Sequence, residues 1–282
     1  MKVHETIAAF RRALDDERRV ARSVGLVPTM GYLHAGHRSL LDAAVAADDV
    51  AAVTIFVNPL QFAPTEDLAR YPRDLERDLA MAREAGVAHV FVPSVDEMYP
   101  EPIATTVSVS GVSAPLEGAS RPTHFAGVAT VVTKLFSIAG PCRAYFGEKD
   151  FQQLAVVRKM ARDLSLPVEV IGCPTVRESD GLAMSSRNVN LSADERSAAA
   201  VLHRALAAGR AAIEGGERDP AAVRRVMADV VAGEPLAGLD YAEVVDAVTF
   251  QVPDPLVGEL RLLIAVQFAK ARLIDNIGAT AR

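Results

Sequence analysis

Short, largely apolar β-rich runs alternate with helical patterns through the first part of the chain. Val24 to Pro28, Val50 to Val57, His89 to Val92, Ala144 to Phe146 and Val168 to Gly172 read as strands. His37 to Ala47, Leu75 to Ala85, Phe125 to Ala139 and Phe151 to Leu164 read as helices, the second of them ended by Gly86. A strand that is apolar along its whole length must be covered on both faces. Alternation of such strands with helices therefore predicts parallel βαβ units. Sheets of this kind bind ligands at the carboxyl ends of their strands. Any chemistry is thus expected at the strand-to-helix junctions.

The pattern changes after about Thr175. A loop rich in Ser, Asn, Asp and Gly runs from Glu178 to Asn190. Two helices are expected next, Ala193 to Glu214 and Ala221 to Val231, and then strands at Tyr241 to Val245, Leu260 to Phe268 and Ala271 to Ile274. The Pro253-Asp254-Pro255 turn separates the first two of these strands. The fold class expected is α/β: a Rossmann-like, doubly wound parallel sheet (residues 1–176) with a smaller C-terminal α+β domain (residues 177–282) acting as a lid. Its 282 residues suffice for a sizeable core. The formal net charge of −6 lacks the basic footprint of a nucleic-acid binder. No apolar run approaches the roughly 20 residues of a membrane span. The segment Met1 to Val20 is charged and amphipathic, with no signal-peptide core, so a cytoplasmic location is expected. Cys142 and Cys173 read as ordinary core thiols, and no metal-ligand set is expected.

Five stretches have residue types suited to chemistry. Pro28-Thr29-Met30-Gly31-Tyr32-Leu33-His34-Ala35-Gly36-His37 leaves the first strand and opens a helix. A helix N-terminus offers free N–H groups and positive potential to phosphate, and Gly31 and Gly36 let backbone approach a ligand. The three-residue spacing of His34 and His37 lets both rings face one way, where imidazoles can donate to phosphate oxygens. A structural or capping pair, or two metal ligands, are the alternatives. At Phe146 to Gln153, Lys149 can reach a polyphosphate as a point charge, or be a solvated surface lysine. Asp150 suits a helix N-cap with Gln153 three residues later. Asp180 to Asn188 contains Met184-Ser185-Ser186-Arg187, a set of donors fit to clamp phosphates, or else a plain linker. Asn58 and Gln61 place neutral amides among Phe56, Val57, Leu60 and Phe62, a pocket for a small branched hydroxy acid or simply an Asn-Pro turn. Arg121 and His124 precede the helix at Phe125 and suit an anion or a lid, or else the loop surface.

His34-Ala35-Gly36-His37 is a variant of the "HIGH" signature of nucleotidylyl transferases and class I aminoacyl-tRNA synthetases, and Met184 to Arg187 resembles their "KMSKS" loop. Taken together, the motifs resemble the pantothenate synthetase (pantoate–β-alanine ligase) family over almost the whole chain. The resemblance includes Phe56 to Phe62, Arg70-Tyr71-Pro72-Arg73, Glu117 to Pro122 with His124-Phe125, Phe146 to Gln153, Asp180 to Asn188 and Ala271 to Asn276. Thr123 and Ala63 stand where that family commonly has glycine. The resemblance implies condensation of (R)-pantoate with β-alanine through a pantoyl adenylate, with ATP as substrate and Mg²⁺ on its phosphates. It implies a homodimer, with no nucleic-acid or membrane partner. It places Pro28 to His37, Gly147, Glu148, Lys149, Asp150 and Val176 along the nucleotide, Met184, Ser185, Ser186 and Arg187 over the phosphates, and Gln61 and Gln153 on pantoate. Gln61 would also meet β-alanine. His37, His34 and Lys149 are the expected catalytic groups, with Asn58, Arg121 and His124 as further candidates for substrate contact.

Overall fold

A computed structural model describes residues 1–62, 68 and 71–282. Arg70 and Ala63, named above, lie outside the described residues. These divide into two compact units, Met1–Glu148 with Gln152–Pro174, and Lys149–Phe151 with Thr175–Arg282. The break at Pro174 falls slightly before the expected boundary and puts Val176 and Lys149 with the second unit.

The elements of the first part are β1 (Lys2–His4), α1 (Ile7–Arg19), β2 (Val24–Thr29), α2 (Ala35–Ala47), β3 (Val50–Ile55), α3 (Leu75–Ala85), β4 (His89–Phe91), the short α4 (Val95–Met98) and α5 (Glu117–Ser120), α6 (His124–Ala139), β5 (Cys142–Gly147), α7 (Phe151–Asp163) and β6 (Val168–Cys173). Among the described residues the strands form one parallel sheet in the order β1-β4-β3-β2-β5-β6. From β2 the chain builds outward through β3 to β4, and then returns to add β5 on the other side. The strand order therefore reverses between β2 and β5, which makes their carboxyl ends the switch point where such sheets bind ligands.

Both faces are covered, as continuous apolar strands require. Neighbouring residues on a strand point to opposite faces, so Leu26 packs with Phe10 and Leu14 of α1 and with α6 and α7. Val27, its neighbour, packs instead with Leu40 and Leu41 of α2 and with Ala82 and Ala85 of α3. Each such fully buried leucine or valine contributes about 1.5–3 kcal/mol relative to exposure. Gly86 ends α3 in the left-handed conformation (φ 88°), as its place in the sequence predicts. The amphipathic N-terminal segment becomes α1, capped by Thr6. Cys173 is buried, Cys142 is partly so, and both are free thiols.

The second unit has α8 (Ala193–Ala198), α9 (Val201–Glu214), α10 (Pro220–Ala232) and the antiparallel sheet β7 (Gly238–Asp246), β8 (Gly258–Gln267) and β9 (Arg272–Ala281). The single helix expected over Ala193 to Glu214 is two helices. Ala199 and Ala200 keep right-handed dihedrals through the break, so the apolar pattern runs across it unmarked. A reciprocal cap between Ser192 and Glu195 starts α8. Strand β9 is longer than expected because its polar Asp275 and Asn276 are buried. Arg177 satisfies Asp275 through two bonds of 2.6 and 2.9 Å.

A proton-sensitive cluster ties β1 to the sheet. The ring nitrogens His4 Nε2 and His89 Nδ1 lie 3.0 Å apart, and His89 Nε2 lies 3.2 Å from Glu17 Oε1. Burial lowers the His4 pKa below 6.5, and it likewise lowers that of His203 in the second unit. A histidine with a depressed folded pKa contributes stability that is fully present above its unfolded pKa and is lost as pH falls through the folded value. Thermal unfolding should therefore show Tm dropping as pH falls below 6.5, and His4→Gln should reduce that slope. A slope unchanged in the variant would remove His4 from the account.

Candidate active site

Backbone geometry at the end of β2 is held by hydrogen bonds rather than by packing alone. The Thr29 hydroxyl donates to Thr54 O at 2.7 Å and accepts from Gly31 N–H at 3.2 Å. Gly31 has φ +83°, and a Cβ there would lie 2.9 Å from Asp78 Oδ2 and 3.0 Å from Ile55, so glycine is required. Tyr32, also at positive φ (52°), follows it. Asp78 on α3 is 1 % exposed and accepts from Tyr32 N–H at 2.8 Å and Leu33 N–H at 2.6 Å. Burial raises its pKa, and those two N–H donors oppose the rise. Nothing in its sequence pattern marks Asp78, because it contacts backbone amides and no motif side chain.

His34 and His37 cap α2 reciprocally. Gly36 N–H donates to His34 Nδ1 at 3.1 Å, and His34 N–H donates to His37 Nδ1 at 3.3 Å. The ring centroids are 4.1 Å apart. The capping alternative is thus realised, and it has a chemical consequence. A nitrogen that accepts from a backbone N–H carries no proton, so each neutral ring carries its proton on Nε2. Two imidazole Nε2–H donors then stand at the N-terminus of α2, at the switch point of the sheet, an arrangement suited to phosphate oxygens. Among the described residues no group of three or more His, Cys, Asp or Glu side chains could hold a metal ion.

The motif after β3 forms a socket around Gln61. The 3-10 turn Pro59–Gln61 is capped by Asn58, which accepts from Leu60 N–H at 3.4 Å. Asn58 Nδ2 donates to Gln61 Oε1 at 3.1 Å and to Gly127 O at 3.2 Å. Tyr99 O–H donates to Asn58 Oδ1 at 2.8 Å. Asn58 is 1 % exposed, with its hydrogen-bonding capacity used on Gln61 and other protein atoms. His124 Nδ1 lies 3.0 Å from Gln61 O, and Arg121 Nη2 donates to that carbonyl at 3.4 Å. Asn58, Arg121 and His124, all expected at the substrate, thus gather on Gln61. Gln61 Nε2 donates to Met30 Sδ at 3.1 Å, which joins this motif to the β2 turn. A Cβ on Gly127 would fall 2.2 Å from Leu60 O, so α6 can lie this close to the turn only with glycine there.

After β5 the chain enters a 3-10 turn, Glu148–Asp150, that runs into α7. Gln153 is partly exposed in the first turn of α7. Its neighbour Gln152 is buried and donates to Val112 O and Pro115 O. In the second unit, Lys149 Nζ lies 3.1 Å from Asp150 Oδ1, and Asn276 Nδ2 donates to Lys149 O at 2.8 Å. The guanidinium of Arg261 lies 4.0 Å from the Phe151 ring centroid, and Arg261 also donates to Asn276 Oδ1 at 2.6 Å. The chain folds back on itself from Val176 to Met184 and then enters the 3-10 turn Ser186–Asn190. Arg177 pairs with Ala183, and Met184 N–H donates to Val176 O at 3.0 Å. Gly181 (φ +91°) turns it, where a Cβ would lie 2.2 Å from the His203 ring. Asp180 pairs with Arg196, which holds its carboxyl below the usual range. Ser185 caps the 3-10 turn Ser186–Asn190, accepting from Arg187 N–H at 3.2 Å.

A sequence model of the family described as Pantoate-beta-alanine ligase matches residues 2–278. The pantothenate synthetase of Acetivibrio thermocellus is 50 % identical over 98 % of this chain and 99 % of its own length. That of Heliobacterium modesticaldum is 53 % identical with the same coverage of both chains. The crystal structure of pantothenate synthetase from Thermus thermophilus superposes with a TM-score of 0.93 at 51 % identity, covering 98 % of this chain and 99 % of that one. The structure of pantoate-beta-alanine ligase from Francisella tularensis, complexed with beta-gamma ATP and beta-alanine, superposes with a TM-score of 0.82 at 32 % identity, covering 98 % and 97 %.

Proposed function

The chain belongs to the pantoate–β-alanine ligase family, and from that membership and the geometry above we infer the reaction and the residues that serve it. The protein condenses (R)-pantoate with β-alanine to pantothenate, driven by ATP. The pantoate carboxylate attacks the α-phosphate to give pantoyl adenylate and pyrophosphate, and the β-alanine amine then attacks the acyl carbon, releasing AMP. The carboxylate is already ionised, so the first step needs positioning and stabilisation of charge moving onto pyrophosphate.

The observation that carries the residue assignment is the reciprocal histidine cap at the β2–β5 switch point. In this reading Pro28 to His37 cradle the triphosphate, with His34 and His37 donating through Nε2. Gly147 to Asp150 and Val176 line the nucleotide, and Lys149, Met184, Ser185, Ser186 and Arg187 serve its phosphates. Gln61 and Gln153 hold pantoate. Mg²⁺ would neutralise phosphate charge, held by phosphate oxygens and water, since the described residues offer no cage of carboxylates and imidazoles. A homodimer in the cytoplasm completes the proposal, and light scattering in solution tests the dimer. None of the described helices is long and apolar enough to cross a membrane.

Pyrophosphate release from ATP and Mg²⁺ tests the reading. With (R)-pantoate alone a single stoichiometric burst is expected, and β-alanine should convert it to steady turnover yielding AMP. Absence of the burst would reject the adenylate route at this site.

A further inference from the structure

We propose that Tyr99 is a positioning residue for the acid substrate, acting through Asn58 to hold the Gln61 amide with its amine toward the ligand. This rests on the reading that Gln61 holds pantoate. An amide side chain has a donor end and an acceptor end of nearly equal shape, so only its partners decide which points where. Here the partners of Asn58 decide: the Gly127 carbonyl accepts from its amine at 3.2 Å, and Leu60 N–H and the Tyr99 hydroxyl donate to its oxygen. The Tyr99 hydroxyl lies 2.8 Å from Asn58 Oδ1, and Asn58 Nδ2 lies 3.1 Å from Gln61 Oε1. Burial pushes the Tyr99 pKa up to about 12, so its O–H keeps its proton.

With the Asn58 amine required by the Gly127 carbonyl and its oxygen held by the Tyr99 hydroxyl, the amine also faces Gln61. The Gln61 oxygen is thereby occupied, and the Nε2 amine is the end left to project. That amine rests on Met30 Sδ, a weak acceptor that a ligand oxygen can replace. The Arg121 and His124 contacts to Gln61 O hold the main chain and leave the side-chain orientation to this relay. The site therefore demands an acceptor atom on the acid at this point, a carboxylate or hydroxyl oxygen. An analogue with a methyl group in place of that oxygen leaves a donor unmatched.

Removing only the Tyr99 hydroxyl leaves Asn58 held by Gly127 O and by the long 3.4 Å bond from Leu60 N–H, and the amide loses its shortest contact. Tyr99→Phe should raise KM for (R)-pantoate about five- to tenfold, the scale of one neutral hydrogen bond, with little change in KM for ATP. The decisive measurement is the same substitution in a Gln61→Ala background, using the full-length enzyme and (R)-pantoate. If Tyr99 acts through Gln61, Tyr99→Phe adds nothing to the KM already raised by Gln61→Ala. An equal KM increase in both backgrounds would overturn the relay, since a loss of fold integrity acts regardless of Gln61. So would a wild-type KM for Tyr99→Phe when Gln61→Ala raises it. A Gln61→Ala enzyme with normal pantoate KM would instead remove the reading beneath the relay, and the relay with it.

Discussion

His37→Ala is expected to slow the pantoate-dependent pyrophosphate burst by about 10²–10³-fold, which is ~2.7–4 kcal/mol and the scale of one lost donor to developing charge. The substitution removes two things at once, and the geometry says how to separate them. His37 Nδ1 accepts from His34 N–H at 3.3 Å, so alanine also breaks half of the reciprocal cap of α2. A lost cap costs about 0.5–2 kcal/mol of stability, which appears in Tm whether or not the ring does chemistry. Glutamine at the third helical position is the usual partner of a capping box and can accept the same N–H. His37→Gln should therefore recover most of the Tm lost by His37→Ala while leaving most of the rate defect. If glutamine restored the burst as well, His37 would be a cap and nothing more. If alanine left the burst rate near normal, the phosphate assignment of this turn would fail.

How far the sequence could be read depended on where each residue's partner lies. Continuous apolar strands such as Val50–Ile55 declare both covered faces by themselves, so the parallel sheet and the place of the β2 turn at its carboxyl edge were legible. Strand β9 was read too short because Asp275 and Asn276 interrupt its apolar pattern. They are buried with partners outside their own strand: Arg177 for Asp275, and Arg261 and the Lys149 carbonyl for Asn276. Asp78 left no trace, since its partners are the backbone amides of Tyr32 and Leu33, which every residue possesses. Asn58 was read as a direct ligand contact, because composition distinguishes a polar group in an apolar pocket but not the direction it faces. The structure uses both ends of its amide on protein atoms, among them Gln61. The histidine pair was legible as a motif, but its tautomers were not, since these depend on backbone N–H positions in the first turn of α2.

Lys149→Met should lower the adenylation rate by a similar factor, about 10²–10³-fold, because it removes the cation while keeping an aliphatic stem. Lys149 is well placed for such a test. Its side chain is only 16 % exposed, and its main-chain carbonyl is held by Asn276 from β9 at 2.8 Å, so methionine retains the packing and the backbone anchor. The ammonium pairs with Asp150 at 3.1 Å. A partly exposed pair of this kind is worth little, so Tm should change by far less than the activity does. The division between kcat and KM then reports when the charge is used. If Lys149 contacts the triphosphate equally before and during phosphoryl displacement, the loss appears in KM for ATP. If it meets charge that develops only as pyrophosphate departs, kcat falls and KM stays. The second result is expected, because the leaving group gains its charge in that step. Lys149→Arg should recover part of the rate, since a planar fork restores the charge but cannot occupy the site of a compact ammonium. A Lys149→Met enzyme with a normal pyrophosphate burst would leave Lys149 as a surface partner of Asp150.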